Sequence, residues 1–392
     1  MKTFQQFISV LGLPFSNVTM EQAIAKIDSF IADGGFHQIA TANVDFVSRA
    51  MADTRLQQIL CGCEMILPDG MPIVWASHIV GAPLQERVTG VDLVQRLAQQ
   101  SAVKGHRIFL LGAREDVAIR ATRVLEEKYP GVCIAGNYSP AIAAIEDMDH
   151  EDILSRIRAA KADILLVAFG NPKQEQWIAM HRDRLPVSVA IGIGGTLDMI
   201  AGQVERAPVW MQKTGLEWFF RMAQEPARLA PRYLRNLKTL AQYTPLMVAS
   251  QRRPGRMYRN AYYLHVEESK ASTILTLRGS LAQMGATSLL EEVKRAANAE
   301  SIVLNLGHLR HLGADGLGVL LESRRIAIGR GQNFSLYGVS RKLRRIFQYA
   351  QVERILSATP LTQEVFVHEP RRKSGGRKLA PGKIATVIQQ SA

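Results

Sequence analysis

The polar chemistry of this 392-residue chain is concentrated between Asp163 and Arg228. ADILLVAFGNPKQEQWIA is followed by VAIGIGGTLDMIAGQVERAP and then by GLEWFFRMAQEPAR. Gln174 and Glu175 stand where a buried apolar run, 164–169, gives way at Gly170 to a helix. An amide that both donates and accepts suits a hydroxyl or a nucleobase edge. Gly192, Gly194 and Gly195 close a second run, 187–193, and predict a tight turn whose free amides meet phosphate at a helix N-terminus. Their spacing is not GxGxxG and they come late in the chain, which argues against a nicotinamide dehydrogenase. Earlier, Asp69 follows the apolar run 65–67 inside Pro68-Asp69-Gly70. It reads either as a carboxylate placed for proton transfer or as a turn or cap aspartate. Thr41 and Asn43 end the run 38–42, as ligand-bonding groups or as helix caps.

These residues need a frame that gathers strand ends. Continuous apolar runs alternating with amphipathic helices predict a parallel sheet covered on both faces, which binds ligands at the carboxyl ends of its strands. The expected strands are 38–42, 65–67, 107–111, 132–134, 164–169 and 187–193, after a helix 19–33 capped by Thr19. The length favours two domains. Residues 1–250 read as the first, and its segment 205–250 is basic and amphipathic. QRRPGRMYRN, 251–260, reads as a linker that few contacts cross. Residues 261–368 form a smaller α/β domain, with strands 274–277, 302–306 and 334–337 and helices 315–327 and 341–349. A basic tail, 369–392, follows.

The net charge of +13 is uneven. From Gln203 to Asn260 there are eleven Lys/Arg against Glu205, Glu217 and Glu225, and six more cations lie between Arg371 and Lys383. A basic segment attracts polyanions. Here Leu216, Phe219, Phe220, Leu234, Leu237 and Leu240 recur at helical spacing beside Trp218 and Tyr233, which points to a helix in an anionic membrane interface. The alternative is a helix packed on its own domain with a solvated basic face. No run reaches the ~18 apolar residues of a membrane span, and no signal peptide is legible at the N-terminus. The chain reads as cytoplasmic. Cys61, Cys63 and Cys133 fit neither a disulfide framework nor a zinc site and read as inert thiols. The histidines, His37 and His181 among them, have no ligand spacing.

Seven blocks, in order, carry a resemblance. They are TANVDFV (41–47), LPDGMPIVWA (67–76), ERVTGVDL (86–93), IFLLGA (108–113), FGNPKQEQWI (169–178), GIGGTLDMIAGQVERAP (192–208) and GLEWFFRMAQEPAR (215–228). Over about its first 235 residues the chain resembles the WecG/TagA/CpsF glycosyltransferases, family 26 of that class. The resemblance implies a Rossmann-like fold and an inverting transfer of N-acetylmannosamine or its uronic acid from UDP to a sugar on an undecaprenyl diphosphate carrier. It also implies a peripheral place on the inner face of the cell membrane.

Inverting transfer needs one base for the acceptor hydroxyl, and the family's proposed base maps onto Asp69. Negative charge develops on the leaving diphosphate and must be stabilised. No Asp-x-Asp stands at a strand end, so protein cations replace a metal, and no cofactor is implied. Arg87 matches the family's arginine in its ERVxG block, and Arg221 and Arg228 match arginines of its C-terminal segment; forked donors suit phosphate. For Arg228 a surface ion pair is an equal reading. Where family members carry a further arginine this chain has Pro231, with Arg232 adjacent. The resemblance makes Thr41, Asn43, Gln174, Glu175 and the glycines substrate-binding.

SIVLNLGHLRHLGADGLGVLLESRR, 301–325, is similar to the STAS domain of sulphate transporters and anti-sigma factor antagonists. Antagonists carry a phosphorylated serine in the loop that here reads Gly313-Ala314-Asp315-Gly316. The switch is therefore lost, and a fixed docking or dimerisation module, binding a second copy or a protein partner, is expected. Two functions compete. One is a glycosyltransferase of lipid-linked polysaccharide synthesis, and the other a STAS-based scaffold with a degenerate transferase domain. Asp69, Arg87, Gln174 and Arg221 together favour the enzyme. Nucleic-acid binding lacks any motif beyond charge.

Overall fold

Residues 6–250, 262–269, 271–282 and 284–357 are described by the computed structural model, apart from the side chains of Lys213, Arg228, Ala249, Ser250 and Met284. The expected linker 251–260 and tail 369–392 lie outside the described residues.

The chain opens with a hairpin, β1 (Phe7–Val10) and β2 (Leu13–Ser16), then α1 (Met20–Asp33), β3 (His37–Ala42), α2 (Val44–Ala52) and α3 (Thr54–Cys61). Next come β4 (Met65–Pro68), α4 (Met71–Ile79), α5 (Gly90–Lys104), β5 (Ile108–Gly112), α6 (Glu115–Lys128) and β6 (Ile134–Tyr138). The third stretch holds α7 (His150–Ala160), β7 (Ile164–Ala168), α8 (Lys173–Met180), β8 (Val189–Gly192) and α9 (Thr196–Ile200). It ends in three helices, α10 (Val209–Thr214), α11 (Glu217–Gln224) and α12 (Pro226–Ser250).

β3 to β8 form a six-stranded parallel sheet in the order β4-β3-β8-β7-β5-β6. Its central strands are buried end to end because helices cover both faces, which is why they read as unbroken apolar runs. Thr19 caps α1 as expected, in a capping box with Gln22. β6 lies later than expected, at 134–138. It is a half-exposed edge strand with Gly136 and Asn137 inside it, so no apolar run marks its extent.

The second part has β9 (Tyr262–Glu268), β10 (Ser272–Leu281), α13 (Met284–Arg295), β11 (Ser301–Leu312) and α14 (Ala314–Gly329). β12 (Asn333–Tyr337), α15 (Arg341–Tyr349) and α16 (Glu353–Ser357) complete it. Its mixed sheet runs β12-β11-β10-β9, with β9 antiparallel and the rest parallel.

The expectation that few contacts cross between the two parts does not hold. The described residues form one compact unit. Ile8, Leu11, Leu13 and Phe15 of the hairpin share a continuous core with Leu317, Leu320 and Leu321 of α14. Gly318 makes the approach possible: a Cβ there would lie 2.9 Å from the Phe7 carbonyl, so α14 rests directly on the β1 backbone. An ion cluster closes one side, where Arg325 bonds Glu322 at 2.7 Å and Glu64 at 3.1 Å and Arg182 also reaches Glu64. Hairpin strands of four residues carry no readable period, so the sequence left this covering element unmarked. Cys61 and Cys63 are buried in this region, and burial pushes the Cys61 thiol up to about 12.

Candidate active site

β3 lies between β4 and β8, while the chain leaves β4 for the far side of the sheet at β5. Such a reversal opens a crevice at the strand carboxyl ends. Into it lead Thr41 and Asn43 from β3, Asp69 from β4, Gly192–Gly195 from β8 and the α8 loop from β7. Two neighbouring clusters result, and their polar atoms are disposed in opposite ways.

In the first, most polar atoms are committed to each other, although Asn171 Oδ1 is buried without a hydrogen-bond partner among the described residues. The Gln174 carbonyl accepts from the amides of Gly170 and Gly194, both at 3.0 Å, and its NH₂ donates to Glu175 Oε1 at 2.7 Å. Glu175 Oε2 accepts from Asn171 at 3.2 Å. Gly192 is glycine because a Cβ would come within 2.5 Å of both Gln174 and Glu175. Thr41 is buried too and donates its hydroxyl to the Gly192 carbonyl at 2.9 Å. Burial pushes the Glu175 carboxyl up to about 8, opposed by its bond from Gln174. The Gly194 amide, expected to be free for phosphate, is thus engaged by Gln174. Gly195 stands exposed at the start of α9. Thr41, Gln174, Glu175, Gly192 and Gly194, expected as ligand contacts, are bonded among themselves here.

The second cluster surrounds Asp69. Its backbone amide is fixed to the Ala42 carbonyl at 3.0 Å. Among the described residues its carboxylate accepts no hydrogen bond and forms no ion pair. Loss of water around this half-buried group raises its carboxyl to about 6. Arg87 and Arg221 pull it down, while Glu217 and Asp92 push it up. Asn43 caps α2 by accepting from the Asp45 amide at 2.9 Å, at the mouth of the same crevice.

Arg87 is not free. It donates to Glu217 at 2.8 Å, and Glu217 also faces Arg206 at 3.4 Å. Arg206 holds Asp92 with two bonds, 2.6 and 2.7 Å. Asp92, Arg206 and Glu217 went unnoticed as site residues although all three stand inside the blocks ERVTGVDL, GQVERAP and GLEWFF. They form a charge relay that sets the position of Arg87 beside Asp69.

Arg221 is different: its Nε is buried without a hydrogen-bond partner among the described residues. The indole N–H of Trp218, one turn earlier on α11, is in the same condition. Such groups are costly unless something satisfies them. Trp218 meets Tyr233 of α12 edge-on at 5.7 Å. The Arg228 side chain lies outside the described residues. Arg232 and Arg235 of α12 converge on buried Asp45, at 3.4 and 2.7 Å, with Arg49 at 2.9 Å. This corrects part of the expected membrane face, since those two arginines anchor α12 to α2. Leu240 likewise packs inward, whereas Phe219, Leu234 and Leu237 are exposed, with Trp210 of α10. No described helix is long and apolar enough to cross a membrane. His181 lies against Trp177 and His150 with its ring tilted at 55° and 53° to theirs, and burial holds it down to about 4.

Sheet and strand-end loops together define an α/β domain with cations in electrostatic reach of a lone carboxyl. The chain belongs to the glycosyl transferase WecG/TagA/CpsF family, which residues 8–255 match. Residues 264–358 match the "Mlab, STAS domain" family. A curated relative from Staphylococcus aureus (strain MW2), "N-acetylglucosaminyldiphosphoundecaprenol N-acetyl-beta-D-mannosaminyltransferase", is 31% identical over 224 residues, 57% of this chain and 86% of that one. Its counterpart from strain NCTC 8325 / PS 47 is 32% identical over 216 residues, 55% and 83% of the two chains. Among solved structures, an anti-sigma factor antagonist from Mycobacterium paratuberculosis is 16% identical, covering 28% of this chain and 93% of that one, with a TM-score of 0.24. The chain is accordingly a glycosyltransferase with a STAS domain behind it.

Proposed function

We propose that this enzyme moves an N-acetylmannosamine-type sugar, or its uronic acid, from a UDP-sugar to a sugar on undecaprenyl diphosphate, with inversion. The observation that carries the reading is the uncommitted Asp69 carboxyl within electrostatic reach of Arg87 and Arg221. A base must be ionised near neutrality and still attract a proton, and a carboxyl raised to about 6 meets both demands. It accepts the proton of the acceptor hydroxyl as that oxygen attacks the anomeric carbon from the face opposite UDP. The bond to the leaving diphosphate breaks, and the charge released there is met by Arg221, Arg87 and Arg228. The unsatisfied Arg221 Nε supports this assignment, because a phosphate oxygen would satisfy it. Asn43 lies at the crevice mouth for a sugar hydroxyl. Gln174, Glu175, Thr41, Gly192 and Gly194 shape the floor, and Gly195 remains a candidate contact for the nucleotide.

The acceptor is lipid-linked in the Staphylococcus relatives by their printed names. Exposed Trp210, Phe219, Leu234 and Leu237 on a basic helical segment support docking on an anionic membrane surface. The decisive experiment offers a panel of UDP-sugars with a lipid-diphosphate acceptor and reads products by mass, with the anomer assigned by NMR. The reading predicts one hexosamine or uronate added with inversion, in excess EDTA as well as without it. Retention of configuration, or activity abolished by EDTA and restored by magnesium, would overturn the mechanism.

A further inference from the structure

α12 is poorly equipped to hold itself. Pro231 and Pro245 interrupt its backbone hydrogen bonds, and its four cations face no carboxylate of its own. It is held laterally instead. Near its start Arg232 and Arg235 grip Asp45, and Tyr233 lies against Trp218 of α11, one turn from Arg221. Further along, Met247 is fully buried, and Leu240 and Tyr243 pack into the core that contains Leu343, Ile346 and Phe347 of α15. α12 and α15 are in direct contact.

The domain that carries α15 has a second footing. α14 lies on β1 and β2, and β2 lies beside β4, with Ser16 Oγ accepting from the Ile66 amide at 3.3 Å. β4 ends at Pro68, immediately before Asp69. One domain is therefore linked to both elements that present these groups: through α14 and the hairpin to β4, which leads to Asp69, and through α15 and α12 to α11, which carries Arg221.

We propose that the STAS domain acts in cis as a brace, fixing the spacing between Asp69 and the cation-bearing helices and so setting turnover. Along α14 this domain is covered by the enzyme's own hairpin. The inference rests on the transferase reading for its activity consequence, while its mechanical part stands on contacts alone. Ile346 and Phe347 act through α12 as positioning residues and touch no reacting group.

The test uses the full chain. Ile346→Ala should raise amide exchange in 217–224 and lower turnover per folded molecule, counted by UDP titration, by about 10–100-fold, the scale of an ångström misplacement. Ile346→Val should restore both. Unchanged turnover per folded molecule alongside faster exchange at 341–349 would overturn the brace, as would wild-type exchange at 217–224. Should Ile346→Ala not fold, Phe347→Leu, which preserves more of the core volume, gives the same two readouts. If wild type transfers no sugar, the functional reading fails, and the exchange at 217–224 alone decides the mechanical claim.

Discussion

The Gln174–Glu175 cluster and the Asp69 cluster sit on neighbouring strands of one crevice, yet they differ in what their polar atoms do. Around Gln174 nearly every donor meets an acceptor from the same cluster. Around Asp69 a carboxylate and a guanidinium N–H are left without hydrogen-bond partners among the described residues. Buried groups of this kind are a minority in protein interiors, and those at strand ends are candidates for completion by a ligand or water. The comparison teaches that loop polarity alone does not identify a site; unmet bonding capacity counts where it coincides with strand-end loops and neighbouring charges, since Ser9, Gln57 and Ser323 also hold buried atoms without partners among the described residues.

The largest expected effect breaks the open cluster. Asp69→Asn should keep fold and donor binding while losing about 10²–10⁴-fold in turnover, measured at saturating donor and acceptor. Near-normal turnover would remove Asp69 as base. Arg221→Ala comes next, with a loss of about 10²–10³-fold, the size found when one donor to developing charge is deleted. Equal loss of donor affinity and turnover would instead make Arg221 a ground-state binder.

Breaking the closed cluster should act on stability. Gln174→Ala strands the amides of Gly170 and Gly194, costing about 1–3 kcal/mol each in a denaturant titration, with turnover per folded molecule little changed. A folded Gln174→Ala enzyme as inactive as Asp69→Asn would erase the distinction between the clusters.

Acidity sharpens it further. The Asp69 carboxyl is raised from 3.8 to about 6 in the folded protein, so the native state holds the proton more tightly than the unfolded chain. Its stability contribution is present at low pH and is lost as pH rises through about 6. Turnover should run the other way, rising through the same window as the base ionises. Asp69→Asn should flatten the acid limb and melt higher than wild type at pH 8. A lower melting temperature for the variant would contradict the desolvated setting. The smallest effect concerns the surface: Lys238→Glu should weaken binding to anionic vesicles by roughly 1–2 kcal/mol, a difference that fades in high salt.

Much of the frame was legible beforehand. β3, β4, β5, β7 and β8 lie within two residues of their expected positions because strands buried on both faces favour runs of apolar side chains. Thr19 and Asn43 were readable as caps from residue type and position, and both cap helices in the structure. The hairpin β1–β2 was missed, since four-residue strands offer no period to read. The relay Asp92–Arg206–Glu217 was missed because its members are far apart in the chain and ordinary one by one.

Sequence by itself determined the alternation of strand and helix, the loops at the strand ends, the family, and the loss of the phosphorylatable serine near Asp315. Local chemistry suffices for these, because period, residue type and motif spacing are properties of neighbours along the chain. Only the tertiary structure decided which polar groups were left unmet, that Arg232 and Arg235 turn to Asp45, and that the STAS domain shares a core with the transferase. Those outcomes depend on which surfaces meet across hundreds of residues. Hydrogen bonds, ion pairs and buried apolar contacts are formed in space, so no single segment records them.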